Sequence, residues 1–244
     1  MLCHTATMAD ELPDTPEQRP APGLGEGRKY AGKSPDARRA ERRQRLLDAG
    51  LQLYGTEGYA ATTIAQLCHT AGVAPSKFYE EFSGREELLA VLCLDIVTEV
   101  NAAMASAVAA EVTLSGQALA GLRAFCHTLL DDPRRARTLL VEGVGVSAEL
   151  ERHRRSYMDQ SATLLIDYVR ALAEANGAPF EEGRRLRTVV RALVGGVGEV
   201  LVDWLSDPDP APLDDVIDDL AGMFVALGTW LDVGGVRDAP GVFP

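Results

Sequence analysis

From residue 35 to residue 232 apolar side chains recur at three- and four-residue intervals, and strand-like alternation is absent from the chain. That pattern restricts the chain to an all-α fold. Leu46, Leu47, Gly50, Leu51, Leu53 and Tyr54 form one broad apolar face, predicting a first helix that starts at Pro35 and stops at Gly58. Thr63 and Gln66 have the spacing of a capping box, opening a short second helix that Ala71 and Gly72 close. Pro75 suits the first position of a third, since its missing N–H is not needed there, and SKFYEEF continues it. Ser83-Gly84-Arg85-Glu86 reads as another capping box, starting a long fourth helix through Leu88, Leu92, Ile96 and Val100. Segments 115–131, 133–142, 147–175, 180–206 and 212–232 carry the same spacing, separated by Gly, Pro, Asn and Asp. Three short helices thus form a small head and about six longer ones a bundle, without internal repeats.

The net charge of −12 opposes contact with nucleic acid unless it is segregated, and it is. Residues 1–27 hold one Arg and five acids, residues 28–87 ten Lys/Arg and eight acids, and residues 88–244 thirteen and twenty-three. Any DNA face belongs to the middle segment. The boundaries expected are a disordered tail over 1–34, too rich in Pro, Gly and charge to order, a head over 35–88, a bundle over 89–232 and a tail over 233–244. Within the first tail Arg28, Lys29 and Lys33 are either an arm for a DNA groove or a solvated patch.

Several function classes drop out. No run approaches the roughly 18 apolar residues of a membrane span, and the N-terminus lacks the basic and apolar regions of a secretory signal, so the expected location is the cytoplasm. Cys3, Cys68, Cys93 and Cys126 are too dispersed for a zinc site or redox pair; the last three read as small hydrophobes or, alternatively, as redox sensors. His127 and His153 lack partners at metal-ligand spacing. There is no nucleophile elbow, phosphate-cradling loop or acid/base constellation, so neither an enzyme nor a bound cofactor is expected.

Two short helices about a glycine turn are what a helix-turn-helix requires, because the second must enter a major groove about 12 Å wide. The whole string GYAATTIAQLCHTAGVAPSKFYEEFSGREELL resembles the DNA-binding signature of the TetR family at Gly58, Tyr59, Thr62, Leu67, Ala71, Gly72, Val73, Tyr79, Phe82, Glu86 and Leu88. Arg43, Leu46, Leu47, Ala49, Leu53 and Tyr54 resemble its first helix. The resemblance covers roughly residues 38–92 and implies a homodimeric transcriptional regulator, a repressor that leaves a pseudo-palindromic operator when a small molecule enters its bundle. Leu67, Val73, Phe78 and Phe82 have the spacing of a head core.

Ser76 and Lys77, on the first turn of the third helix, are placed by such a fold at base edges. The resemblance gives Tyr79 a phosphate contact through its hydroxyl with its ring packed inward. It gives Thr62 a phosphate contact at the start of the second helix, beside the cap Thr63, and Arg85 one at the start of the fourth, where the family more often has Lys. Arg38, Arg39, Arg42 and Arg43 supply attraction that does not depend on sequence, although as cations in the N-terminal half of a helix they oppose its macrodipole. Three positions depart from the family pattern. Ala74 stands where Ser is usual, leaving the third helix without a side-chain cap; Cys68 replaces a common Ala; and Glu80 falls where His is frequent. With Glu81 it makes the recognition helix acidic, so that Glu80 either accepts from a cytosine amine or lowers affinity.

The resemblance also places an effector pocket and a dimer seam in the bundle. Met104, Phe125, His127, Tyr157, Met158 and Trp204 are candidate pocket residues, each equally at home in a plain core. Val194, Val197, Leu201, Val216, Leu220, Met223, Phe224 and Leu227 are candidate seam residues, with Gly195, Gly196 and Gly198 permitting close approach; a monomer core would look similar. The rivals to a repressor are a protein of this fold that has lost operator binding, and an activator or global DNA binder.

Overall fold

A computed structural model describes residues 34–230. The two expected tails, apart from Ser34, together with Cys3 and the patch Arg28, Lys29 and Lys33, lie outside the described residues. Among those described there is no strand. The helices are α1 Pro35–Thr56, α2 Ile64–Ala71, α3 Pro75–Phe78, α4 Arg85–Ala109, α5 Leu114–Leu130, α6 Pro133–Ala136, α7 Ala148–Ala175, α8 Arg184–Ser206 and α9 Leu213–Trp230, with a π-helical segment, Arg137–Glu142, continuing α6. The architecture is the all-α head and bundle that the periodicity predicts.

Local chemistry accounts for the head. Ser34 caps α1 by accepting from Ala37 N–H, with Pro35 as the first helical residue. The Thr63–Gln66 capping box is formed in both directions. Gly72 ends α2 at φ 61°, a left-handed conformation that costs glycine nothing. Ala74 offers α3 no side-chain cap, and that helix is a single turn instead of running to residue 82. Residues 79–81 still curl on, with the Phe82 N–H bonded to the Phe78 carbonyl at 2.9 Å. The expected box at Ser83 and Glu86 is not made. Gly84 is the cap residue of α4, and Glu87 instead reaches back to accept from the Ser83 N–H at 2.6 Å, which holds its carboxyl below the usual glutamate range.

The head core collects Leu46, Leu53 and Tyr54 from α1, Leu67 and Cys68 from α2, Phe78 and Phe82 around α3, and Leu88, Leu89, Leu92 and Cys93 from α4. Phe78 and Phe82 are sealed from solvent, each worth about 2 kcal/mol of burial. Leu150 of α7 belongs to the same cluster, so apolar packing runs without a break from head to bundle. Beyond it α4 supplies Ile96 and Val100 to a second core, shared with α5, α6, α8 and α9, while α7 and α8 pack on each other around Ile166, Val169 and Val190. By length and composition alone α4 is apolar enough to cross a bilayer, which the sequence reading overlooked. Its apolar side chains here join two cores.

Two contacts fix how α1 meets the bundle. At Gly55 the α1 backbone crosses α6 so closely that an added Cβ would lie 2.4 Å from the Cβ of Arg134 and 2.7 Å from its Cα. Below it, Glu142 at the end of the π segment accepts from the Tyr59 N–H at 2.7 Å, its other oxygen held by Arg137 at 3.2 Å. π-helical turns are rare, and this one closes through a bond from the Gly143 N–H to the Thr138 carbonyl.

Candidate nucleic-acid interface

Because the apolar faces of α1, α2 and α3 are turned inward, the remaining face of α3 presents Pro75, Ser76, Lys77, Tyr79 and Glu80 to solvent. Lys77 is half exposed and pairs with Glu80 one turn later at 2.6 Å. Tyr79 does not pack inward as expected: its side of the turn faces outward, the residue is 60% exposed, and the ring meets only the edge of Phe78 at 5.5 Å. Its hydroxyl is thereby free to reach beyond the head.

Glu81 overturns the expectation of an acidic recognition surface. Its side chain is 1% exposed, because the backbone after α3 turns it toward α1. There one oxygen accepts from Arg39 Nε at 3.2 Å and the other from Arg42 Nη2 at 2.6 Å and Nε at 3.1 Å. Burial pushes this carboxyl up, but the hydrogen bonds and charges of Arg42 and Arg39 outweigh burial and hold it below the ordinary glutamate value. Only Glu80 remains an exposed acid on this turn.

The α1 arginines find acceptors inside the head, which offsets their conflict with the helix dipole. Arg43 donates to the Glu81 carbonyl at 3.1 Å and lies over the Phe82 ring at 4.4 Å. Arg45 donates to the carbonyls of Ala71 and Gly72, at the negative end of α2. Arg38 is exposed.

Thr62 and Arg85 depart from the phosphate contacts expected of them. Thr62 is fully buried, its hydroxyl donating to the Gly58 carbonyl at 2.8 Å. Arg85 donates through Nη1 to the carbonyls of Tyr59, at 2.9 Å, and Thr62, and its guanidinium covers the Tyr59 ring at 4.8 Å. Both brace the turn before α2. Thr63 is exposed at the N-terminus of α2.

Residues 46–92, from the middle of α1 into α4, match the profile of bacterial regulatory proteins of the tetR family. The sequence likeness to the tetR family lies in this head. The HTH-type transcriptional regulator BetI of Brucella anthropi is 32% identical over 60 residues, 25% of this chain. The match spans about a third (31%) of that relative's length. The fold likeness reaches further. The fatty acid degradation regulator FadR of Bacillus halodurans superposes with a TM-score of 0.65 at 18% identity, covering 84% of this chain and 98% of that one. FadR of Bacillus subtilis, solved in complex with stearoyl-CoA, gives 0.63 at 15% identity over 74% and 96%.

In the bundle the six expected pocket residues do not converge. His127 is drawn to the surface by carboxylates: Nδ1 lies 3.1 Å from Asp131 and Nε2 3.7 Å from Asp214, within a cluster where Arg123 bridges Asp214 and Asp218 from α5 to α9. Trp204 is spent on the α8–α9 connection, its Nε1 donating to the Ala211 carbonyl at 2.8 Å. Met104 and Phe125 lean on the second core, and Met158 lies opposite Gly195 on α8. Tyr157 alone lines a cleft, of about 20 Å³, where α4, the π segment and α7 meet at Cys93, Leu139, Leu150 and His153. Burial pushes the Cys93 thiol up to about 12, and that of Cys126 likewise, so neither is a poised thiolate.

The seam residues also divide. Val197, Leu201 and Leu220 are buried within the single chain, and Val194, Val216 and Phe224 are half-buried against its cores. Met223 is exposed, and the side chain of Leu227 lies outside the described residues. Among the charged side chains on the outer faces of α8 and α9, Val200 and Met223 are exposed and Gly196, Gly198 and Gly222 half-buried; a Cβ added at any of the three glycines meets nothing within 4 Å. The Gly196–Val200 spacing is visible in the sequence, but one residue away from the Val197–Leu201 stripe that masks it. Glu81 reads from the sequence as an exposed acid, and Glu142 goes unread altogether. The three-residue spacing of Arg39 and Arg42 is the only sequence signal for the first, and none exists for the second, whose partner is 83 positions away.

Proposed function

We propose that this chain is a sequence-specific, DNA-binding transcriptional repressor that works as a homodimer in the cytoplasm and is released by a small-molecule effector. The observation that carries this reading is the exposure of Ser76, Lys77 and Tyr79 together on a turn whose inward face is sealed by Phe78 and Phe82. Ser76 and Lys77 read bases, Lys77 after exchanging Glu80 for guanine. Tyr79, Thr63, Arg38, Arg39, Arg42 and Arg43 grip phosphates. Two heads about 34–36 Å apart read a pseudo-palindrome, and the chain acts by binding rather than by turnover.

In this reading the chain divides into a head over 35–88 and a bundle over 89–232, with α4 shared between them. Likeness in fold to a structure solved in complex with stearoyl-CoA supports a small-molecule effector. The cleft at Tyr157 is far below the roughly 300–1,000 Å³ of an organic ligand site, so an effector acts by binding better to an arrangement in which α4, the π segment and α7 stand apart. Glu142, which grips the Tyr59 N–H, carries such a movement to the head.

Selection of bound duplexes from a random pool tests the reading, with the unaltered chain and with Ser76→Ala and Lys77→Ala. Enrichment of one palindrome, with changed base preferences in the variants, is expected. Failure to enrich any palindrome overturns it.

A further inference from the structure

We propose that Glu81 is a positioning residue for DNA: its buried carboxylate holds Arg39 and Arg42 against the recognition turn, where their guanidinium groups meet the phosphate backbone. The inference rests on the DNA-binding reading above and concerns an acid that the reading leaves without a role.

An acid beside a recognition helix ordinarily repels phosphate. Glu81 does not face outward. Its two oxygens are filled by three arginine N–H groups, and at 1% exposure its charge is spent on those arginines. They are not wholly spent in return, for Arg42 keeps 20% exposure and Arg39 far more. The Arg39 side chain is 64% exposed although Nε is fixed on Glu81, so the outer edge of its planar fork remains open to solvent. Arg39 Nη2 lies 3.4 Å from the Glu80 carbonyl, placing the group beside the exposed Lys77–Glu80 pair. Arg42 uses Nε and Nη2 on the same carboxylate, Nη2 also lying 3.7 Å from Glu80.

The consequence is preorganisation. A long arginine side chain on a solvated helix visits many rotamers, and ordering it on DNA subtracts from affinity. Here the carboxylate orders two guanidinium groups before DNA arrives, side by side at the edge of the turn. Their remaining donors suit phosphate oxygens, which arginine binds in paired fashion. Arg39, Arg42 and Lys77 against Glu80 and Glu81 leave the patch net positive despite its two acids.

This reading and simple electrostatics give opposite signs. Replacing Glu81 by Gln removes a negative charge from a DNA-binding surface, which by repulsion alone strengthens binding. If the carboxylate positions the arginines, binding weakens. The full chain is titrated onto its selected duplex by fluorescence anisotropy at several salt concentrations, as the unaltered protein and as Glu81→Gln, Arg39→Gln and the double variant. We expect Glu81→Gln to bind about tenfold more weakly and the slope of log K against log salt to shrink by about one unit. Arg39→Gln gives a similar loss, and the double variant loses little beyond the worse single. Binding by Glu81→Gln as tight as the unaltered chain, with the same slope, overturns the proposal. Should Glu81→Gln prove unfolded by circular dichroism, Arg39→Gln decides, since that side chain is mostly exposed: an unchanged slope overturns the proposal. Absence of duplex binding by the unaltered chain overturns the functional reading, and the positioning role with it.

Discussion

Thr62 and Thr63 are neighbours at the start of α2, and the direction of the backbone there separates their roles. Thr63 caps the helix at the surface, while Thr62 points inward and holds the Gly58 carbonyl, so the turn that α1 needs before α2 depends on a hydroxyl no solvent reaches. Thr62→Val keeps the shape and leaves that carbonyl unmatched. We expect it to cost about 1–3 kcal/mol in denaturant unfolding, with the salt slope of duplex binding unchanged. A lower slope at unchanged stability would return Thr62 to the phosphate backbone. Identity alone does not separate the two threonines, because both fit a cap and both fit a phosphate contact. Glu80 and Glu81 divide the same way, one paired with Lys77 in solvent and the other enclosed by arginines.

At the level of elements, α1 is the part through which the head is held. Its glycines mark the two closest approaches. At Gly50 an added methyl would lie 2.4 Å from Leu88 Cδ2 and 2.9 Å from Leu92 Cδ1, side-chain tips that can rotate; at Gly55 it would meet the Cα and Cβ of Arg134, which cannot. Gly55→Ala is therefore expected to lower stability by about 1–3 kcal/mol despite better helix propensity, and Gly50→Ala by clearly less. Thermal unfolding of the two variants checks the order, and equal midpoints would mean that α6 yields. Helix positions were legible because capping residues, prolines and apolar periods act within a few residues: the Thr63–Gln66 box, the Gly72 stop and the Pro75 start all stand where the sequence puts them. The single-turn α3, the Gly84 cap and the π segment were not legible. The π segment runs where packing is tight, for Gly143 lies so near Cys93 that an added Cβ would be 3.2 Å from its sulfur.

For the proposed dimer the decisive quantity is the distance between two heads, which requires a second copy. Our dimer reading moves the seam from the apolar stripe of α8, which the chain uses for its own core, to the outward face that carries Gly196, Val200, Gly222 and Met223. A Cβ added at Gly196 meets nothing within 4 Å in the single chain, so we expect Gly196→Arg to preserve helical content while sedimentation velocity shows monomers and operator affinity collapses. A dimer that persists would place the seam elsewhere. Segregated charge, helical periods, local caps and a short glycine turn were enough to specify an all-α chain with a basic head, since all of these are set by near neighbours in sequence. Which of two acids is buried, which arginines face outward, which apolar stripe is interior and how Glu142 reaches Tyr59 were decided only in three dimensions. Those outcomes depend on desolvation and on partners dozens of residues away, brought together by the packing of helices whose own formation does not specify it.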